Sequence, residues 1–89
     1  MKKVILFHFQ SCPYCRAARN WLDELAREDP ALACVEVERI DENLCPDIAR
    51  RYDYWYVPTF YVDGVKVHEG VCDKRTVERV LRSALQGNA

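Results

Sequence analysis

The 89-residue sequence predicts an α/β fold in the order β-α-β-α-β-β-α, with a mixed four-stranded sheet flanked by three helices. Three observations predict this fold. A continuous apolar run near the N-terminus is typical of a strand buried on both faces. An amphipathic helix and a second strand follow it, and such a βαβ unit favours a parallel pair with a right-handed crossover. Near the C-terminus, two short strands flank Asp63-Gly64, which is the strongest short hairpin signal and adds antiparallel strands.

The first half of the chain supplies the predicted βαβ unit. Lys3 to Phe9 is rich in Val, Ile, Leu and Phe and forms the buried strand. Ser11 is a possible N-cap of the next helix, and Pro13 lies in its first turn, where a missing N–H costs nothing. The helix is expected to end near Asp29-Pro30, because the residue before a proline avoids helical geometry. Its apolar face, at i, i+3, i+4 and i+7 spacing, consists of Ala18, Trp21, Leu22 and Leu25.

The second half supplies the remaining strands and helices. Ala33 to Ile40 alternates polar with apolar residues and predicts a half-exposed strand, and a short helix follows Pro46. Thr59 to Val62 and Val65 to His68 are the two hairpin strands, and the last helix starts at Asp73. The inward-facing residues are Ile48, Ala49 and Tyr52 in the short helix and Val77, Val80, Leu81, Ala84 and Leu85 in the last one.

Length, charge and cysteine usage limit the function classes. The chain is predicted to form one domain over residues 1–89, acting as a monomer, with Gln86 to Ala89 frayed. A net charge of −1 argues against nucleic acid or a membrane surface as the main partner, and no apolar stretch is long enough to span a bilayer. The five cysteines cannot all pair within one chain, and three of them are scattered. We therefore expect a reducing compartment, the cytoplasm.

Cys12 and Cys15 lie two residues apart, directly after the first strand and at the start of the first helix. The thiolate is the nucleophile, and the ordinary pKa of about 8.5 leaves little of it at neutral pH. Unpaired N–H groups and the positive end of the helix dipole favour the thiolate of Cys12. Cys15 lies one turn further along the helix and is less exposed to that field. This asymmetry predicts that Cys12 attacks a disulfide and Cys15 resolves the product.

The alternatives for this pair are two inert buried thiols or half of a zinc site. Inert thiols do not fit a pair that opens a helix directly after a buried strand. Zinc usually takes four ligands from two close pairs. The other candidate ligands have no metal-like spacing; they are Cys34, Cys45, Cys72, His8 and His68. No metal is therefore predicted.

Three stretches resemble known sites. The sequence Cys-Pro-Tyr-Cys from Cys12 to Cys15 resembles the active site of the dithiol glutaredoxins, which belong to the thioredoxin superfamily. Val57-Pro58-Thr59 resembles the stretch that carries a cis-proline facing the active cysteines in that superfamily. Gly70-Val71-Cys72-Asp73 resembles the stretch by which glutaredoxins hold the γ-glutamyl end of glutathione.

The resemblance implies a thioredoxin-like fold and a site of seven residues. Cys12 and Cys15 would be catalytic, and the backbone of Val57, before a cis Pro58, would pair with substrate like an added strand. Glutathione would be the reducing co-substrate, and no cofactor would be tightly bound. The substrate- and glutathione-binding residues would be Tyr14, Val57, Pro58, Cys72 and Asp73.

Several positions depart from the glutaredoxin pattern. Phe9 stands where many glutaredoxins carry a lysine near the glutathione carboxylate, and Val71 stands where they often have a second glycine. Ile40 to Asn43 and Ala49 to Tyr52 look more like the middle of a thioredoxin. Leu6, however, stands where thioredoxins bury an acidic residue beneath their cysteines.

The sequence therefore predicts a glutaredoxin-like thiol–disulfide oxidoreductase. Its partners would be glutathione and either disulfide-containing or glutathionylated proteins. The closest alternative is a thioredoxin-like protein-disulfide reductase recharged by a flavoprotein reductase. An alternative of another class is an iron–sulfur cluster carrier, using Cys12 and glutathione between two chains, and a sensor that uses the Cys12–Cys15 pair without turnover also remains open.

Overall fold

A computed structural model describes residues 1–86 and contains four strands and four helices within that range. Of the stretch expected to fray, Gln86 to Ala89, residues 87–89 lie outside the described residues. In chain order the elements are β1 (Val4–His8), α1 (Pro13–Glu28), α2 (Pro30–Ala33), β2 (Val37–Asp41), α3 (Pro46–Ala49), β3 (Thr59–Val62), β4 (Val65–Glu69) and α4 (Lys74–Leu85).

The sheet has the strand order β2-β1-β3-β4. β1 runs parallel to β2 and antiparallel to β3, and β4 is antiparallel to β3. The predicted thioredoxin-like mixed sheet is thereby confirmed. β1 and β3 are the inner strands, which explains why β1 is apolar on both faces. In the hairpin, Asp63 and Gly64 have φ values of 52° and 82°, as a two-residue turn that follows the strand twist requires.

The strand predicted from Ala33 to Ile40 is wrong in its first half. Pro30–Ala33 forms the additional helix α2, and β2 starts only at Val37. The Asp29 carboxylate accepts a hydrogen bond from the Ala31 N–H at 3.0 Å and caps a new helical turn, in which Pro30 takes the first position. This helical turn buries Leu32. A short connection then leads from α2 to the start of β2.

The sheet separates two apolar clusters, because successive strand residues point to opposite faces. The larger cluster fills the face covered by α1, α2 and α4, and includes Leu6 and Phe60. The smaller cluster lies on the face of α3 and is built on Phe7, Ile40 and Tyr61. The predicted inward faces of α1 and α4 contribute to the larger cluster, and Ile48, Ala49 and Tyr52 pack against the smaller one as predicted, but α3 ends at Ala49 and Tyr52 lies after the helix. Within residues 1–86, every helix is too short or too polar to cross a bilayer.

Candidate active site

Cys12 is the residue that caps α1. Its φ and ψ of −79° and 120° are extended, its carbonyl accepts the first helical hydrogen bond from the Arg16 N–H at 2.9 Å, and Pro13 follows at the first helical position. Ser11, the predicted cap, lies one residue too early, in the turn between β1 and α1. The N–H of Cys12 donates to the Phe9 carbonyl at 3.3 Å and closes that turn. Cys12 therefore lies at the positive end of a 16-residue helix.

The two cysteines of the pair differ in environment. Cys12 is 7% exposed, whereas Cys15 is completely buried. Burial raises the pKa of the Cys15 thiol to about 12, and a hydrogen bond with the Cys12 sulfur acts in the same direction. A hydrogen bond from the Phe9 backbone and the charge of Arg19 lower the Cys15 pKa in part. The arrangement offers Cys12 as the thiol that meets a substrate and Cys15 as the thiol held behind it.

The three predicted site segments meet at one edge of the sheet. Phe7 on β1 pairs with Thr59 on β3, and Thr59 pairs with Glu69 on β4. The residues before Thr59 and after Glu69 therefore lie at the same end of the sheet as the C-terminal end of β1, which leads into the cysteine pair. The Val57–Pro58 peptide bond is cis, which confirms the conformation predicted from the resemblance. The Gly70 N–H donates to the Pro58 carbonyl at 2.8 Å and ties the last two segments together.

Exposed apolar side chains surround this edge. Their exposed fractions are 57% for Tyr14, 86% for Trp55, 70% for Tyr56 and 64% for Val71. Exposed aromatic residues of this kind commonly bind partner proteins. Tyr54, in contrast, stacks on Phe7 with ring centroids 4.8 Å apart, and its hydroxyl donates to Glu42 at 2.7 Å. Partial burial and this hydrogen bond raise the pKa of Tyr54, which packs against the smaller cluster.

Glu69 holds the Trp55–Tyr56 segment in place. Its carboxylate accepts the backbone N–H groups of Trp55 at 2.5 Å and Tyr56 at 3.0 Å. Lys66 donates to the same carboxylate at 2.8 Å and to the Asp53 carbonyl at 3.2 Å. The hydrogen bond from Lys66, followed by those from the two backbone groups, lowers the pKa of Glu69 to about 2. Sequence reasoning missed Glu69, because these contacts span 13 and 14 residues and leave no local pattern.

Asp73 caps α4, so the last helix begins where the sequence predicts. Its carboxylate accepts hydrogen bonds from the Thr76 N–H at 2.8 Å and the Thr76 hydroxyl at 2.9 Å, and these bonds lower the pKa of Asp73. Cys72 packs against the larger cluster, and its burial, followed by the charge of Asp73, raises its pKa to about 11. Cys72 is therefore a poor source of thiolate near neutral pH. The predicted contact of both residues with glutathione stays a prediction.

Leu6 is completely buried in the larger cluster, so no acidic side chain occupies that position behind the cysteines. Within the part of the chain that the structure describes, no group of three or more His, Cys, Asp and Glu side chains is arranged to hold a metal ion. The polar groups that influence the pKa of Cys15 instead include the Phe9 backbone, the Cys12 thiol and the Arg19 guanidinium.

Comparisons with known proteins agree with this geometry. A family model described as a thioredoxin domain matches residues 1–82. A thioredoxin from Methanocaldococcus jannaschii is 31% identical over 83 residues, which cover 93% of this chain and 95% of that protein. The sequence signature of a thioredoxin domain is therefore present along almost the whole chain.

Two solved structures show the same fold. The oxidised thioredoxin of Plasmodium falciparum superimposes with a TM-score of 0.70 at 13% identity, over 92% of this chain and 79% of that one. Reduced desulfothioredoxin from Desulfovibrio vulgaris Hildenborough gives 0.67 at 22% identity, over 92% of this chain and 80% of that one. At these identities the likeness concerns the fold alone.

Proposed function

The chain belongs to the thioredoxin domain family, and from that premise we propose that it is an oxidoreductase that reduces protein disulfides through a Cys12/Cys15 dithiol cycle. The observation that carries this proposal is the unequal pair at the start of α1. Cys12 lies at the helix terminus beside the exposed aromatic residues, and Cys15 lies one turn further along α1 and is fully buried.

The proposed cycle has two exchange steps. In the first, the Cys12 thiolate attacks one sulfur of the substrate disulfide, so a Cys12–substrate disulfide forms and the other substrate sulfur leaves as a thiolate. In the second, the Cys15 thiolate attacks the Cys12 sulfur, so a Cys12–Cys15 disulfide forms and the second substrate sulfur leaves. The substrate gains two electrons and the protein loses them, while the protons of both thiols pass through water to the released substrate thiols.

We propose a thioredoxin-type electron donor, a flavoprotein reductase, for the return to the dithiol. Two features support this choice. A 31% identical relative that spans the chain is named thioredoxin, and Phe9 stands where a glutathione-binding lysine would be expected. Recharging by glutathione is the second candidate, favoured by the Cys-Pro-Tyr-Cys motif and by Cys72-Asp73. We further propose that the protein works as a monomer in a reducing compartment, the cytoplasm.

The two donors are distinguished by a direct comparison. The oxidised protein is mixed either with a thioredoxin reductase and NADPH or with glutathione, glutathione reductase and NADPH, and NADPH oxidation is followed in the presence of a protein disulfide. We expect faster turnover with the thioredoxin reductase. Turnover with glutathione alone would replace the thioredoxin-type donor by the glutaredoxin type. Absence of protein-disulfide reduction with a chemical dithiol as donor would overturn the function itself.

The two cysteines should have separable roles in this assay. Cys12→Ser should abolish turnover, because no thiol remains at the helix terminus. Cys15→Ser should stop the cycle at the mixed disulfide, which mass spectrometry detects as a covalent adduct on Cys12. Cys34→Ser, at an exposed cysteine outside the site, serves as the matched control and should retain the parent rate. Full activity in Cys12→Ser would contradict the assignment.

A further inference from the structure

Arg19 is an arginine of α1 that the proposed cycle does not use. It follows Cys15 by four residues, so both side chains lie on the same face of the helix, one turn apart. Its guanidinium reaches the turn between β1 and α1, where Nη1 lies 2.9 Å from His8 Nδ1 and 3.4 Å from the Phe9 carbonyl oxygen, and Nη2 donates to the Gln10 carbonyl at 3.2 Å. One side chain thereby connects the helix behind the cysteines with the last residue of β1 and with the two residues that follow it in the turn.

The Phe9 peptide group is the centre of this arrangement. Its carbonyl accepts hydrogen bonds from the Cys12 N–H and from Arg19. Its backbone also lowers the pKa of the Cys15 thiol. A displacement of Phe9 would therefore move the Cys12 backbone and change the surroundings of the Cys15 thiol, and Arg19 is the side chain that holds Phe9 from the helix side.

His8 is held as a neutral partner of Arg19. The imidazole is buried, and its pKa is lowered first by burial and then by the Arg19 charge. Arginine has no acceptor, so the Nδ1 atom of His8 accepts the hydrogen bond and the ring proton lies on Nε2. The positive charge in this part of the site thus belongs to Arg19 and is not shared with a second cation on His8.

Charged and titratable groups approach the site from several elements. Cys15 is influenced by Cys12, by Arg19 and, from the segment after α3, by Tyr54. His8 is influenced by the charges of Arg39 and Asp41 on β2 and of Glu42, which directly follows β2. Among these, the positive charge of Arg19 lowers the pKa of Cys15.

We propose that Arg19 is a positioning residue for the resolving step: it braces the turn at Phe9 and Gln10 and holds a positive charge one helical turn from Cys15. The inference rests on the proposed function. In this step the Cys15–Cys12 disulfide forms, the bond from Cys12 to the substrate sulfur breaks, and that sulfur leaves with the electron pair. Cys15 must first lose its proton to water, and the thiolate that then attacks carries its negative charge inside the protein, where an oppositely charged group is most effective.

The test separates the two exchange steps in one reaction. Reduced protein is mixed in a stopped-flow instrument with one equivalent of 5,5′-dithiobis(2-nitrobenzoate) between pH 6 and pH 9. The first thionitrobenzoate released reports attack by Cys12, and the second reports attack by Cys15. Cys34 and Cys45 are replaced by serine in every sample, and the Cys12→Ser version gives the release from other thiols that is subtracted.

Three substitutions are compared in this background. Arg19→Gln should slow the second phase about threefold to tenfold at pH 7 and move its rate–pH curve toward higher pH, because the thiolate of Cys15 becomes rarer. Arg19→Lys keeps the charge without bridging the two carbonyls, and should be intermediate. Arg27→Gln removes the same charge from an exposed position near the end of the same helix and should match the parent protein. The first phase should stay within about twofold in all three, since Arg19 acts behind Cys15.

A second phase in Arg19→Gln that equals the parent, or an equal slowing of both phases, would overturn the inference. Should Arg19→Gln fail to fold, Arg19→Lys decides alone: it must slow the second phase selectively, and a parental second phase or an equal slowing of both phases overturns the proposal. A parent protein that releases no second thionitrobenzoate would instead overturn the proposed dithiol cycle. The two failures are therefore distinguishable.

Discussion

Glu69 couples the charge of a single carboxylate to the position of the exposed aromatic residues. Its pKa of about 2 is below the ordinary value for glutamate, because Lys66 and the N–H groups of Trp55 and Tyr56 all favour the ionised form. A carboxylate with a depressed pKa in the folded state stabilises the protein above the pKa of the unfolded chain, about 4.3, and loses that contribution as pH falls toward 2.

We expect Glu69→Gln to remove this part of the pH dependence. Urea unfolding of the parent and of the variant should differ most above about pH 5, and the two midpoints should converge as pH approaches 2. Glu36→Gln, the same chemical change at an exposed glutamate, is the matched control. Its unfolding midpoint should change with pH in the same way as that of the parent. A difference between parent and Glu69→Gln that is independent of pH would show that the charge of Glu69 is unimportant.

Two substitutions of Asp73, at the N-terminus of α4, distinguish its structural role from a ligand-binding role. The cap needs an oxygen that accepts hydrogen bonds from Thr76, which asparagine also provides. Asp73→Ala should therefore lower the melting temperature by about 4–8 °C, the usual size for loss of a helix cap in a domain of this length. Asp73→Asn should lower the melting temperature much less. Circular dichroism during heating measures the melting temperature of both variants.

Asp73→Asn also tests the predicted glutathione contact. Because the amide keeps the cap and removes the charge, a selective loss of reduction by glutathione would assign Asp73 to glutathione binding. Equal rates for parent and variant with glutathione would leave the carboxylate with the cap alone. Asp47→Asn, at an exposed aspartate of α3, controls for the loss of one negative charge.

The elements that the sequence predicts well are those with local signals. The apolar run of β1, the stripe of α1 and the Asp63-Gly64 turn are each contained within a few residues, and all three are confirmed. α2 was missed because Pro30 reads as the end of one helix, while the Asp29 carboxylate starts another. Of the candidate site, the cysteine pair and the cis-proline segment are predicted from motifs. Arg19 was missed because its role depends on contacts 9 to 11 residues away, which only the fold creates.

At the scale of the whole molecule, burial is uneven along the chain. The core residues of α1 and α4 pack against the central strands β1 and β3, where Val4, Leu6 and Phe60 are completely buried. From residue 41 to residue 57, in contrast, no residue is buried, and α3 is a single short helix. Free energy of local opening follows the number of buried apolar groups and protected hydrogen bonds. The segment that carries Trp55 toward the cysteines should therefore open more easily than the rest.

Native-state hydrogen exchange with mass spectrometry tests this difference. We expect amides of residues 42–56 to exchange at a lower free energy of opening than those of β1 and α1. Leu22→Ala, a truncation in the larger cluster, should lower the global free energy of unfolding by about 2–5 kcal/mol. It should change the opening of residues 42–56 little, since that opening does not expose Leu22. If both regions exchange at the same free energy, or lose stability equally in Leu22→Ala, the chain opens as one unit. Separate opening would let the Trp55–Tyr56 surface adjust to different protein disulfides while Cys12 and Cys15 stay fixed on α1.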